Sequence, residues 1–168
     1  RVIGRTGAGY DTVDVPAATR RGIPVVYAPV NAFAVAEAAL AMLMALVKRI
    51  PFCDDTVKAG HWERRVEFTT GDMAGNVLGI IGLGRTGAHL ARLVQNFDMT
   101  VLGHDPEVGD DQAAEMGVQL TGLDDLLGRS DFVSLHVPLM DGTRGLISQA
   151  RLALMKDGAI LVNTSRGA

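Results

Sequence analysis

Cysteine is almost absent from this 168-residue chain, which carries Cys53 alone. One thiol cannot close an internal disulfide or found a zinc site, so no metal centre is expected, and the expected setting is reducing and cytoplasmic. An excess of basic charge is missing too. Sixteen Lys and Arg stand against 19 Asp and Glu, a formal net charge of −3. Without basic stripes to neutralise phosphate, neither a nucleic acid nor a membrane surface is expected as a partner. No apolar run reaches the ~20 residues that a membrane span needs, and the longest, 32–47, carries Glu37. There is no repeat at a fixed period, which sets aside solenoids and propellers. An initiator methionine is also lacking. The chain opens in what reads as a strand and closes just after another, so a fragment truncated at both ends is expected.

What is present is an ordinary globular balance, 48% hydrophobic and 21% charged, enough to bury a core. Strand candidates at Val2-Ile3 and Ile23 to Tyr27 flank a helix near Val15 to Arg21, with Asp14 as N-cap and Pro16 in its first turn. Asn31 is expected to cap a long apolar helix that ends before Pro51. A helix apolar on nearly every side needs cover all round, from its own domain and from a second domain or subunit. Phe52 to Gly71 is polar and reads as an irregular, extended arm. From Asn76 apolar strands alternate with helices. The strands are Val77 to Ile81, Thr100 to His104, Val118 to Leu120, Asp131 to Val137 and Ala159 to Asn163. The helices are Thr86 to Phe97, Asp110 to Met116, Leu123 to Leu127 and Ser148 to Lys156. That alternation predicts an α/β fold with a parallel sheet covered on both faces.

Gly82-Leu83-Gly84-Arg85-Thr86-Gly87 is a G-x-G-x-x-G that follows a buried strand and opens a helix. The first glycine makes the tight turn, the second admits a pyrophosphate to the backbone, and the third lets helix and strand pack closely. Free N–H groups at the helix start would then meet the phosphates. The motif alone could merely shape a turn. Its confirming partner is an acidic residue about 20 positions on, and Asp105 stands at the end of the second strand. A carboxylate there accepts from ribose hydroxyls and repels a 2′-phosphate. No Arg or Lys follows it in Pro106 to Asp111, so NAD is expected over NADP. The expected fold is a Rossmann-type doubly wound sheet.

Several further blocks accompany this motif: Gly4-Arg5-Thr6-Gly7-Ala8-Gly9-Tyr10-Asp11-Thr12-Val13-Asp14, Val35-Ala36-Glu37, and His104-Asp105-Pro106. Later come Ser134-Leu135-His136-Val137-Pro138-Leu139, Thr143-Arg144-Gly145-Leu146-Ile147 and Asn163-Thr164-Ser165-Arg166-Gly167. Together, and in this order, they resemble the D-isomer-specific 2-hydroxyacid dehydrogenases, most closely the phosphoglycerate-dehydrogenase-like branch. The resemblance implies an NAD-dependent oxidoreductase acting on a D-2-hydroxy or 2-oxo acid of the 3-phosphoglycerate, hydroxypyruvate or glyoxylate type. It assigns residues 1–30 to the tail of a flavodoxin-like substrate domain. Residues 31–168 become an incomplete NAD-binding domain, with a linking helix over 31–50 and an arm over 51–71. A homodimer is implied, with that helix and arm at a two-fold contact.

The same resemblance implies site roles. Ala8 and Gly9 meet the substrate carboxylate through their backbone, and Arg166 is the catalytic arginine, also near the cofactor. Gly82, Gly84, Arg85, Thr86, Gly87, Asp105, His136, Val137, Pro138, Thr143, Thr164 and Ser165 fall along the cofactor. The family's acid/base histidine and its glutamate would lie beyond the segment matching Arg166. None of His61, His89, His104 or His136 substitutes for that histidine. Two small departures are His104, where the family often has Tyr, and Thr86, where it often has an aliphatic residue. Two other readings compete. A co-repressor-type module would use NAD to control assembly, and a methyltransferase also pairs a glycine loop with an acidic strand end. The second leaves the Gly7–Tyr10 turn and the Asn163–Gly167 block unexplained.

Overall fold

The computed structural model describes residues 1–67 and 69–167, so the predicted arm is seen except for Phe68. The chain starts with a small parallel β–α–β unit, β1 (Ile3–Thr6), α1 (Val15–Arg20) and β2 (Val25–Ala28). Asp14 caps α1 by accepting from the Ala17 amide at 2.8 Å, and Pro16 sits in the first turn, where its missing N–H costs nothing. β1 begins and ends later than Val2-Ile3, and β2 starts at Val25, because Pro24 only accepts at its carbonyl, from Ile3.

The long helix α2 (Ala32–Val47) lies where its apolar run predicts. Asn31 occupies the N-cap position, but its side chain makes no capping bond. Ala36, Ala39, Leu43 and Val47 form its buried stripe. Phe33, Met42 and Leu46, outside that stripe, are exposed. The expected irregular arm is instead helical for much of its length. After Arg49, whose φ of 51° turns the chain, α3 (Ile50–Lys58) follows, and then a 3₁₀ turn (Trp62–Val66). Pro51 is no breaker here, since it stands in the first turn of α3.

The main sheet comprises β3 (Val77–Ile81), β4 (Thr100–His104), β5 (Gln119–Leu120), β6 (Phe132–Leu135) and β7 (Ile160–Asn163). They run parallel in the order β5-β4-β3-β6-β7. Helices α4 (Arg85–Leu93), α5 (Asp110–Glu115), α6 (Leu123–Arg129) and α7 (Gln149–Leu152) connect them. α4 stops at Leu93 rather than Phe97, and α7 is a single turn rather than the predicted Ser148–Lys156. Side chains alternate across the strands as a two-residue period demands. Leu78 and Ile80 face the core that α2 and α4 complete, while Ile81, Leu102, Val133 and Leu135 face α6. This is the doubly wound, Rossmann-type sheet. Its strand order reverses between β3 and β6, and ligands bind outside the strand ends at such a switch point. Among the described residues no helix is long and apolar enough to cross a membrane.

Candidate active site

The glycine loop follows directly from β3. Gly82 has φ +91°, a region open to glycine at little cost. A β-carbon on it would stand 2.9 Å from the His136 backbone. On Gly87 a β-carbon would collide with the Gly82 carbonyl oxygen, so the third glycine allows α4 to sit on β3. Gly84 differs from both. A β-carbon there would meet nothing within 4 Å, so its lack of a side chain keeps open space above the backbone. No side chain caps α4 at Gly84, and the amides of Arg85, Thr86 and Gly87 begin the helix unclaimed by a cap.

Asp105, at the end of β4, faces this loop. Its Oδ2 accepts from the Leu83 amide at 2.7 Å and its Oδ1 from the Glu107 amide at 2.9 Å. Each carboxylate oxygen keeps a second lone pair for a ribose hydroxyl. Open space at Gly84, uncapped amides and a positioned carboxylate together fit a dinucleotide. Arg85 is exposed, and its Nη1 donates to the Pro29 carbonyl at 3.3 Å, tying the loop to the segment before α2.

Beyond β6 and β7 the remaining predicted residues divide into two groups. Val137, Pro138, Thr143, Ser165 and Arg166 line a cleft of about 270 Å³. Thr143 Oγ1 donates to the Pro138 carbonyl and accepts from the Met140 amide at 3.0 Å, which closes the loop on that wall. Ser165 Oγ donates to the Leu135 carbonyl at 3.1 Å. His136 and Thr164 do not line the cleft. His136 lies behind it, with Nε2 2.9 Å from Ser134 Oγ and Nδ1 3.5 Å from Thr164 Oγ1. Burial pushes the imidazole down to about 4, so it is neutral at neutral pH and unsuited to give up a proton there.

Arg166 leaves the end of β7 toward the small β–α–β unit. There it meets Asp11, with Nη2 to Oδ1 at 2.9 Å and Nε to both oxygens at 3.2 Å. The hydrogen bonds from Arg166 hold the Asp11 carboxyl below its usual range and raise the guanidinium in turn. Gly9 is pressed against this pair: a β-carbon on it would run into Arg166 Nη2. Ala8 is exposed in the same turn. The structure therefore brings Gly9 to Arg166 across most of the sequence. His61 is exposed just before the 3₁₀ turn and His89 stacks edge-on against Phe33, and neither lines the cleft.

Three contributors escape a reading of the sequence. Asn163 braces the turn that carries Arg166, its Oδ1 accepting from the Ser165 amide at 2.8 Å and its Nδ2 donating to the Arg166 carbonyl at 2.8 Å. An Asn at a strand end before a polar turn is a recognisable Asx signal. Ser134 is fully buried against His136, within a strand that otherwise reads as apolar. Asp11 has no local signal of its own, since its partner is 155 positions away.

Residues 40–168 match the family model described as D-isomer specific 2-hydroxyacid dehydrogenase, NAD binding domain. The D-3-phosphoglycerate dehydrogenase of Archaeoglobus fulgidus is 44% identical over 168 residues, which is 99% of this chain and 32% of that protein. The enzyme of the same name from Sus scrofa is 40% identical, over 99% of this chain and 31% of its own. The chain thus spans about a third of the length of these curated relatives. Among solved structures, a D-lactate dehydrogenase from Aquifex aeolicus complexed with NAD and lactic acid superposes with a TM-score of 0.90 at 37% identity, covering 99% of this chain and 50% of that one. A formate dehydrogenase from Granulicella superposes at 0.92 with 27% identity, covering 99% of this chain and 46% of its own.

Proposed function

The chain belongs to the D-isomer-specific 2-hydroxyacid dehydrogenase family, and from that premise we propose that the protein carrying it interconverts a D-2-hydroxy acid and its 2-oxo acid. The cofactor is NAD, which when bound supplies or accepts the hydride at C2. The single observation that carries the reading is the meeting of Arg166 with the Gly9–Asp11 turn at the end of the sheet.

The residues divide the work by position. Gly82 to Gly87 and Asp105 hold the dinucleotide, through uncapped amides and a carboxylate suited to ribose hydroxyls. Val137, Pro138, Thr143 and Ser165 form the wall along its reactive end, with His136 and Thr164 supporting that wall from behind. Arg166 grips the 2-oxo acid through its planar fork and polarises the carbonyl, helped by the backbone of Ala8 and Gly9. In this reading residues 1–30 belong to the substrate domain and 31–168 to the cofactor domain. The 3-phosphoglycerate type of substrate stands first, because the curated relatives carry that name. Two copies pair through the exposed face of α2 and the segment after it.

The test is an NADH-oxidation assay of the full-length polypeptide against 3-phosphohydroxypyruvate, hydroxypyruvate, glyoxylate and 2-oxoglutarate. R166K keeps the charge but loses the fork. It is expected to lower kcat/KM by about a hundredfold or more while leaving the NADH Kd nearly unchanged. Near-normal kcat/KM in R166K would remove Arg166 from the chemistry.

A further inference from the structure

Arg166 is held by Asp11 along one edge and by a neighbouring carbonyl at Nη1. A guanidinium carries five N–H donors in a fixed plane. The Asp11 carboxylate takes the side edge formed by Nε and Nη2, and the Ser165 carbonyl takes an N–H of Nη1 at 2.9 Å. Among the described residues this leaves one N–H on Nη1 and one on Nη2 without a protein acceptor. Those two can form the end-on fork, the geometry that receives a carboxylate or a 2-oxo acid in a bidentate grip. Gly9 adds a second constraint, because only a residue without a β-carbon lets the guanidinium lie this close to the turn.

We propose that Asp11 is a positioning residue for substrate recognition: it clamps the side edge of Arg166 so that the end-on fork faces the cleft. The inference rests on the reading of Arg166 as the substrate arginine. The pair spans the two ends of the chain, and its side chains are 41% and 37% exposed. Ion pairs so open to water add little to stability, so its consequence lies in orientation. An arginine without the clamp would sample other rotamers, and the fork would be correctly aimed for only part of the time. The proposal differs from autoinhibition, in which Asp11 would compete with substrate for Arg166. There, removal of Asp11 would tighten binding; here it must weaken it.

The experiment uses the full-length polypeptide with D11A, D11N, R166K and the double variant D11A/R166K. The readouts are the NADH Kd, the melting temperature, kcat/KM for the best substrate of the panel, and binding of oxamate, a 2-oxo acid isostere, to the NADH complex. The expected result for D11A is about a tenfold or greater loss in kcat/KM and in oxamate affinity, with NADH Kd and melting temperature unchanged. D11N preserves size and one acceptor oxygen, so it falls between wild type and D11A and serves should D11A fold poorly. In the R166K background, removing Asp11 should change kcat/KM by less than about twofold, because the clamp then has no fork to aim. Normal or tightened oxamate binding in D11A and D11N overturns the clamp, as does an equal loss in both arginine backgrounds. If R166K itself behaves as wild type, the underlying reading of Arg166 falls; an impaired R166K beside a normal D11A sinks the clamp alone. A wild-type protein that neither binds oxamate nor turns over the panel sinks both.

Discussion

Asp105 and Leu83 are joined across the end of the sheet: the Leu83 amide, inside the glycine loop, donates to Asp105 Oδ2 at 2.7 Å. The carboxylate proposed to select the cofactor therefore also braces the loop proposed to hold its phosphates. A 2′-phosphate brought to about 4 Å from it would meet a repulsion of roughly 4 kcal/mol at an effective dielectric near 20. A third of that is already about tenfold in affinity. D105S should narrow the preference for NAD over NADP, mainly by losing affinity for NAD, since the loop loosens as well. Fluorescence titration with NADH and NADPH decides it. Equal binding of the two by wild type would remove Asp105 from the selection.

The motif's second and third glycines should fail in different ways. G84A places a methyl where the free chain has nothing within 4 Å, so the fold should keep its melting temperature. In the proposed binding mode the same methyl stands where the pyrophosphate approaches, so NADH binding should weaken about tenfold or more. G87A drives a methyl into the Gly82 carbonyl and to 3.1 Å from Ile80, so α4 must lift from β3. Overpacking of this kind costs about 1–3 kcal/mol. Urea unfolding and NADH titration of both variants separate the two roles, and equal destabilisation by both would contradict them.

Much of this machinery is legible in the sequence because it is local. β3 and β4 have the bounds that their apolar runs suggest, and the glycine loop meets Asp105 because parallel neighbours bring consecutive strand ends together. The errors also have local causes. Pro51 reads as a breaker, yet in a first turn it is neutral, so α3 was hidden behind a polar composition. Its surface is held by pairs such as Lys58 with Asp54 at 2.5 Å, which carry no apolar period. The contact between Asp11 and Arg166 is different in kind. Nothing near either residue announces the other, and only the approach of the Gly9–Asp11 turn to the segment after β7 brings them together.

His136 should make stability depend on acid. Its folded value is about 4, against 6.5 for an ordinary histidine, because burial disfavours the charged ring. As pH falls below about 6.5 the unfolded chain takes up a proton that the folded chain refuses, so stability falls with pH until about 4. At pH 5 this amounts to about 2 kcal/mol. H136Q keeps hydrogen-bonding atoms beside Ser134 and removes the titration. Urea unfolding at pH 7.5 and pH 5 should show a stability difference smaller by that amount in H136Q. Identical differences in the two proteins would mean that His136 does not govern this window.

The exposed side of α2 gives the last prediction. Met42 and Leu46 lie one turn apart on α2 and are 48% and 50% exposed, and Ile50, just across the Arg49 turn in α3, is 55% exposed. Large apolar side chains in such a row favour burial against another surface. A two-fold pairing is the simplest closed solution, because each copy then covers the same patch on the other. L46E places a charge in the middle of that row while leaving the buried stripe of Ala36, Ala39, Leu43 and Val47 untouched. The full-length polypeptide is expected to sediment as a dimer, and L46E to shift toward the monomer mass while retaining NADH binding. A wild-type monomer at micromolar concentration, or an L46E protein with unchanged mass, would remove this face from the assembly.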